Sequence, residues 1–186
     1  MPNTLNARRS DARDVTTSAL LTALLAASAV ISLPIGAVPF TLQTLVLVLI
    51  ALTQRPSRAA LTVAAYLMVG LVGLPVFSEF RGGLGVLLGP TGGYLIGFWA
   101  GAVAGSWVRE RLLRTGSSHW AVDAVAALVV IALVYGFGWL QLDVVTSMGA
   151  VPALLAGVVP FLLIDAMKAA GAIALAPLVR KAIAAR

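Results

Sequence analysis

Between Val144 and Val179, thirty-six consecutive positions hold only two ionisable side chains, Asp165 and Lys168. A run this long and this apolar is what a bilayer demands of a spanning segment, and few soluble folds could hide it. Charges inside a membrane helix are costly; they usually face a cavity, where they mark the path of a substrate or an ion. The i, i+3 spacing puts Asp165 and Lys168 on one helical face, able to reach each other or a ligand between them. Pro160, five residues before Asp165, has no N–H and leaves a carbonyl one turn back without its helical partner. The structural alternative is a neutralised pair buried only for packing.

Composition supports lipid as the solvent. The 186 residues are 60% hydrophobic and 11% charged, enough for one compact bundle and no sizeable soluble domain. A formal net charge of +6 invites a nucleic-acid partner, but eleven of the thirteen Lys and Arg fall in short segments between or beyond apolar runs and so report topology. There is no cysteine, hence no disulfide or thiolate chemistry, and the single His119 is no basis for a metal centre.

The sequence predicts an all-α membrane protein with six transmembrane helices: a tail over residues 1–14, then a substrate-binding domain over 15–182. The tail (Arg8, Arg9, Asp11, Arg13, Asp14) is expected to be cytoplasmic and partly disordered. Val15 to Leu33 is a charge-free span, read as an uncleaved first helix rather than a signal peptide. Its Ala19, Ala23 and Ala27 recur every fourth residue, the pattern that lets helices approach closely in lipid, either within the chain or against another subunit. Phe40 to Thr53 is a second apolar segment, about 21 Å long at 1.5 Å per residue. It must borrow length from Ile35–Val38 or lie in a thinned or protein-lined region. Ala59 to Leu74, Thr91 to Val108, Trp120 to Leu142 and Pro152 to Val179 complete the set. Asp123 reads as a structural acid in a first helical turn.

Charge then orients the bundle. The N-terminal tail, the 54–58 turn, the 109–114 turn and the C-terminus (Arg180, Lys181, Arg186) hold the eleven basic residues, while the three opposite loops hold only Arg81. The positive-inside rule makes both termini cytoplasmic and puts the loops at 34–40, 75–90 and 143–151 outside. A helix restarting at Pro160 places Asp165 and Lys168 in the outer half of the bilayer, beneath the glycine-rich 75–90 loop. Irregular backbone at that depth survives only where protein buries it or where it lines a cavity.

Several function classes drop out. The glycine run offers no G-x-x-x-x-G-K-[ST], since Gly89 is followed by Pro90 and Thr91, so this chain does not hydrolyse ATP by itself. Thr91-Gly92-Gly93-Tyr94 lacks the pore helix of a potassium filter, and no Ser–His pair lies at depth for proteolysis. An Asp/Lys pair suits a small ligand with urea-like or amide-like N–H and C=O edges. Gln43 can donate and accept; Phe40, Phe77, Phe80 and Tyr94 can supply apolar walls; Arg81 can attract an anionic tail or simply pair with Glu79.

Val38-Pro-Phe-Thr-Leu-Gln43-Thr, Gly73-Leu-Pro-Val-Phe77, Gly82-Gly-Leu-Gly-Val-Leu-Leu-Gly-Pro-Thr-Gly-Gly-Tyr94 and Pro160-Phe-x-x-x-Asp165-x-x-Lys168 resemble the BioY family. Those proteins are the biotin-binding S components of energy-coupling-factor (ECF) vitamin transporters. The resemblance spans nearly the whole chain. It implies a multi-pass protein of the cell membrane that captures biotin from outside, with no cofactor and no catalysis. It also implies partners: a transmembrane T protein and two ABC-type ATPases. The implied substrate-binding set is Asp165, Lys168, Gln43, Phe40, Thr41, Phe77, Arg81, Gly89, Thr91 and Tyr94. The implied partner-docking face is Ala19, Ala23 and Ala27. Glu79 departs from the small residue of the family pattern, and Arg81 is then needed to neutralise it at the mouth. The readings that remain beside this one are an S component for another small vitamin, a solitary proton-coupled carrier and an intramembrane enzyme using Asp165 as acid or base.

Overall fold

The structure, a computed structural model, describes residues 4–34, 36 and 38–184, leaving aside the side chains of 4–12 and 184. Ile35, Arg186 and the side chains of Arg8, Arg9 and Asp11 lie outside the described residues. Eight α-helices are described: α1 Thr4–Val30, α2 Gln43–Thr53, α3 Pro56–Leu71, α4 Leu84–Leu88, α5 Gly92–Leu113, α6 His119–Thr146, α7 Ala150–Gly157 and α8 Leu162–Ala184. Single 3-10 turns occupy Ser78–Phe80 and Val159–Phe161. Among the described residues the strands form a ribbon of two-residue pieces, β1 (Ser32–Leu33) and β2 (Phe40–Thr41), antiparallel with Ser32 opposite Thr41.

Helix limits differ from the sequence expectation in ways the residues explain. The segment expected as a partly disordered tail is helical from Thr4, its Leu, Ala and Arg residues being good helix formers. Phe40 and Thr41 belong to the ribbon rather than to the second helix, so α2 keeps only eleven residues. Every residue from Val46 to Leu52 in it is buried. A helix apolar all round belongs in an interior, and α2 lies in the protein-lined region that its shortness required. The 109–114 segment is the last turn of α5, and Asp143, expected in an outer turn, lies inside α6, which ends at Ser147 in a left-handed cap (φ 53°).

The last apolar run is broken in two. The N–H of Phe161 bonds to the Val158 carbonyl at 3.0 Å in place of an α-helical bond to Gly157. The Gly157 carbonyl thus freed accepts the Tyr94 hydroxyl at 2.7 Å. Pro160, inside the intervening turn, supplies no N–H of its own. Asp165 consequently stands in the first turn of α8.

Helices α5 and α6 meet along a stripe of glycines, Gly93, Gly97, Gly101 and Gly105, one per turn. A Cβ on Gly97 would sit 2.7 Å from the Cα of Val134, and one on Gly101 would sit 3.0 Å from the Val130 carbonyl oxygen. Backbones this close gain dispersion and Cα–H···O contact, which is what associates helices where no hydrophobic effect acts between them. At the basic end, Asp123 is 2% exposed and takes Arg109 Nε at 2.7 Å and Arg180 Nη1 at 3.1 Å, while Arg180 also reaches the Leu52 carbonyl. Asp123 is therefore structural, as expected, but through ion pairs tying α5, α6 and α8 to α2 rather than through a helix dipole. The outer surface is rich in exposed Leu, Met and Trp, including Leu20, Leu61, Met68, Trp99, Leu128 and Leu163. By length and composition alone, His119–Thr146 and Ala150–Ile183 are long and apolar enough to cross a bilayer.

Candidate functional site

A cavity opens at the end of the bundle where α2, α5 and α8 begin. Its free interior is narrow, about 60 Å³. The space is a cleft rather than a chamber, and side chains must part for a drug-sized molecule.

Asp165 and Lys168 line it, and they are paired: Lys168 Nζ donates to Asp165 Oδ1 at 2.7 Å, with the two side chains 10% and 5% exposed. Two further elements complete the carboxylate's shell. Tyr135 of α6 donates its hydroxyl to Oδ2 at 2.8 Å, and Thr44 of α2 reaches the same oxygen at 3.4 Å. Lys168 also donates to the Thr41 carbonyl at 2.6 Å, so the ribbon is stitched to α8 across the cavity floor.

A carboxylate has about four acceptor positions and an ammonium three donors. Oδ1 has one partner and Oδ2 one short and one marginal partner; Lys168 has used two donors. Each member of the pair thus keeps capacity for a ligand atom, and the long Thr44 contact is the one a stronger donor would displace. Gln43 has a similar reserve. Its Oε1 accepts the Thr41 hydroxyl at 3.2 Å, and its Nε2 donates to Tyr66 at 2.6 Å. Tyr66 in turn donates to the Val76 carbonyl, anchoring the start of the 75–90 loop.

The other sequence-derived residues divide. Thr41, Phe77, Thr91 and Tyr94 line the cavity with Gln43. Phe77 is buried and meets Tyr66 edge-on at 5.5 Å. Phe40 is not in the lining: it stacks at 4.1 Å on Phe161, which is, and so acts from behind the wall. Arg81 and Gly89 lie in an adjoining groove that shares Val86 and Thr91 with the cavity. Arg81 is held there by Glu79 at 2.5 Å. Glu79 has a left-handed backbone (φ 60°), and so has Phe80 (φ 56°), which turns outward, 65% exposed, rather than forming a wall. Ala19, Ala23 and Ala27 are all exposed; the first two line an apolar groove between α1 and α3, far in sequence from the ion pair.

Sequence reasoning missed Tyr135, Thr44 and Gln141. Gln141 of α6 donates from Nε2 to the carbonyls of Leu87 and Gly89, at 2.7 and 2.8 Å, clasping the glycine-rich loop beside the cavity. The available signal was polarity: Tyr135 and Gln141 are among the few hydrogen-bonding side chains in α6. Among the described residues no cluster of His, Cys, Asp and Glu could hold a metal ion.

Fold and site together describe an all-helical bundle that presents a charged pair to a largely apolar cleft. A solved structure described as the S-component for biotin from an ECF-type ABC transporter has a similar fold, with TM-score 0.85, 25% sequence identity, and coverage of 97% of this chain and 95% of that one. The biotin transporter BioY of Thermotoga maritima is 36% identical over 156 residues, spanning 84% of this chain and 89% of that protein. The probable biotin transporter BioY of Pyrococcus horikoshii is 37% identical over 166 residues, 89% of this chain and 94% of that protein. The BioY family description matches residues 1–185, and the chain belongs to that family.

Proposed function

We propose that the chain is the biotin-binding S component of an ECF-type transporter, and that the cleft at Asp165 and Lys168 is where biotin sits. The observation that carries the residue assignment is the buried pair with unused hydrogen-bonding capacity on both members, held by Tyr135 and the Thr41 carbonyl. In this reading Asp165 accepts the ureido N–H groups, Lys168 gives its third donor to the ureido oxygen, and Gln43 offers both functions nearby. Phe77 and Tyr94 flank the ring system, and Thr91 and Gly89 belong to the loop that closes over it. Phe40 backs the floor through Phe161. Arg81, outside the cleft, draws the carboxylate tail toward the mouth.

The reading takes six spans with both termini cytoplasmic, and the basic residues gathered in the segments at 54–58, 109–114 and 180–181 support that orientation. The cleft then faces outward in the cytoplasmic membrane. The exposed alanines of α1 form the docking face for a transmembrane T protein, and two ABC-type ATPases supply the energy. The chain contributes capture, not catalysis.

The test is biotin titration of the purified full chain by calorimetry. Each charged hydrogen bond is worth about 1.5–3 kcal/mol, so Asp165→Asn and Lys168→Ala should each weaken binding by roughly tenfold to a hundredfold. Wild-type affinity in the doubly substituted chain refutes the site while leaving the family assignment intact.

A further inference from the structure

The end of the bundle opposite the cleft carries a second polar hollow. It lies between the end of α2, the start of α3 and the last turns of α5, and is lined by Gln54, Arg55, Ser106, Arg109, Glu110 and Arg114 among others. Three guanidinium groups share it with one carboxylate. Glu110 is already taken by Arg114 at 2.6 Å. Arg109 gives its Nε to Asp123 with its side chain 15% exposed, and no described residue takes its terminal nitrogens. Arg55 is exposed, and its guanidinium has no partner among the described residues. Two guanidinium groups with uncommitted donors thus line one hollow whose single carboxylate is already paired, and a planar guanidinium is suited to receive a phosphate oxyanion in bidentate fashion.

The surroundings favour a lipid as the bearer of that phosphate. Within the same stretch of α5, but outside the lining of the hollow, Arg111 lies 5.3 Å over the ring of Trp107, which is 52% exposed. An exposed Trp with a snorkelling Arg marks the depth of the headgroups, and basic pockets between helices at the cytoplasmic side suit anionic headgroups. We propose that this hollow is a binding site for the phosphate of an anionic phospholipid, with Arg55 and Arg109 as its main donors. The site is separate from the biotin cleft and does not depend on it.

The experiment is native mass spectrometry of the full chain titrated with phosphatidylglycerol, with phosphatidylcholine as the zwitterionic control. One arm adds inorganic phosphate in excess; others use Arg55→Gln and Arg111→Gln, with biotin titration of each variant alongside. The expected result is retention of phosphatidylglycerol over phosphatidylcholine, no displacement by inorganic phosphate, and about fivefold weaker lipid retention in Arg55→Gln, the effect of one basic residue at an anionic surface. Biotin affinity should not change. Equal retention of the two lipids overturns the proposal. So does an equal loss in Arg111→Gln, which would mean diffuse surface charge, and so does full displacement by inorganic phosphate, which would mean a site for the free ion.

Discussion

Neutralising one member of the Asp165–Lys168 pair tests whether the two charges support each other in the empty protein. Both side chains are at most 10% exposed, so removing one leaves the other nearly dry. Breaking a buried pair from one side costs about 3–5 kcal/mol. The remaining partners grade the two substitutions. After Lys168→Met, Asp165 still has the Tyr135 hydroxyl at 2.8 Å and Thr44 at 3.4 Å, which points to the lower figure. After Asp165→Asn, Lys168 keeps the Thr41 carbonyl and an amide in place of a carboxylate, which points to the upper one. At roughly 2–4 °C per kcal/mol for a chain of this size, melting temperature should fall by about 6–20 °C. The double substitution leaves no charge stranded, so a coupling of about 2–3 kcal/mol should hold its loss near that of the harsher single variant rather than at the sum of the two. The assay is thermal unfolding of detergent-solubilised protein without biotin. If the double variant loses the full sum of the two single losses, the pair is not mutually compensating, and the hydrogen-bond accounting built on it fails.

Gln141→Leu removes two bonds from the loop carbonyls, about 1–3 kcal/mol together, and should speed biotin dissociation roughly tenfold in stopped-flow measurements; an unchanged off-rate means the clasp does not hold the lid. Gly97→Leu drives a side chain into the Val134 backbone and should abolish monodisperse protein in size-exclusion chromatography, whereas Gly136→Ala meets nothing within 4 Å and should melt no lower than wild type. Ala23→Leu fills the exposed groove between α1 and α3. It should block co-purification with the energising subunits while leaving biotin affinity intact; loss of biotin binding instead would place α1 in the substrate site.

What the sequence made legible was whatever stands out against an apolar background. Asp165 and Lys168 are conspicuous for that reason, and their helical spacing foretold the contact seen at 2.7 Å. Tyr135 was invisible by the same logic: its ring belongs in an apolar helix, and nothing local tells that a hydroxyl meets a carboxylate thirty residues on. The glycine stripe of α5 obeys the same four-residue rule as the alanines of α1, but in the sequence it runs on from the glycine-rich loop and is not set apart from it. The ends of α1 and α6 ran past expectation because Arg8, Arg9 and Asp143 are tolerable in a helix that continues beyond lipid. Phe40 and Thr41 left the second helix because strand pairing with Leu33 and Ser32 is a tertiary choice.

The glycine seam between α5 and α6 also decides which side of the cleft can yield. Tyr94 and Tyr135 stand on two helices whose backbones already touch, with nowhere to retreat. Thr41 and Phe77 come from the ribbon and from the loop after α3. A molecule entering the cleft therefore meets an anvil on one side and a pliable jaw on the other. In the proposed site, selection by width falls to the two tyrosines, and accommodation falls to the rest.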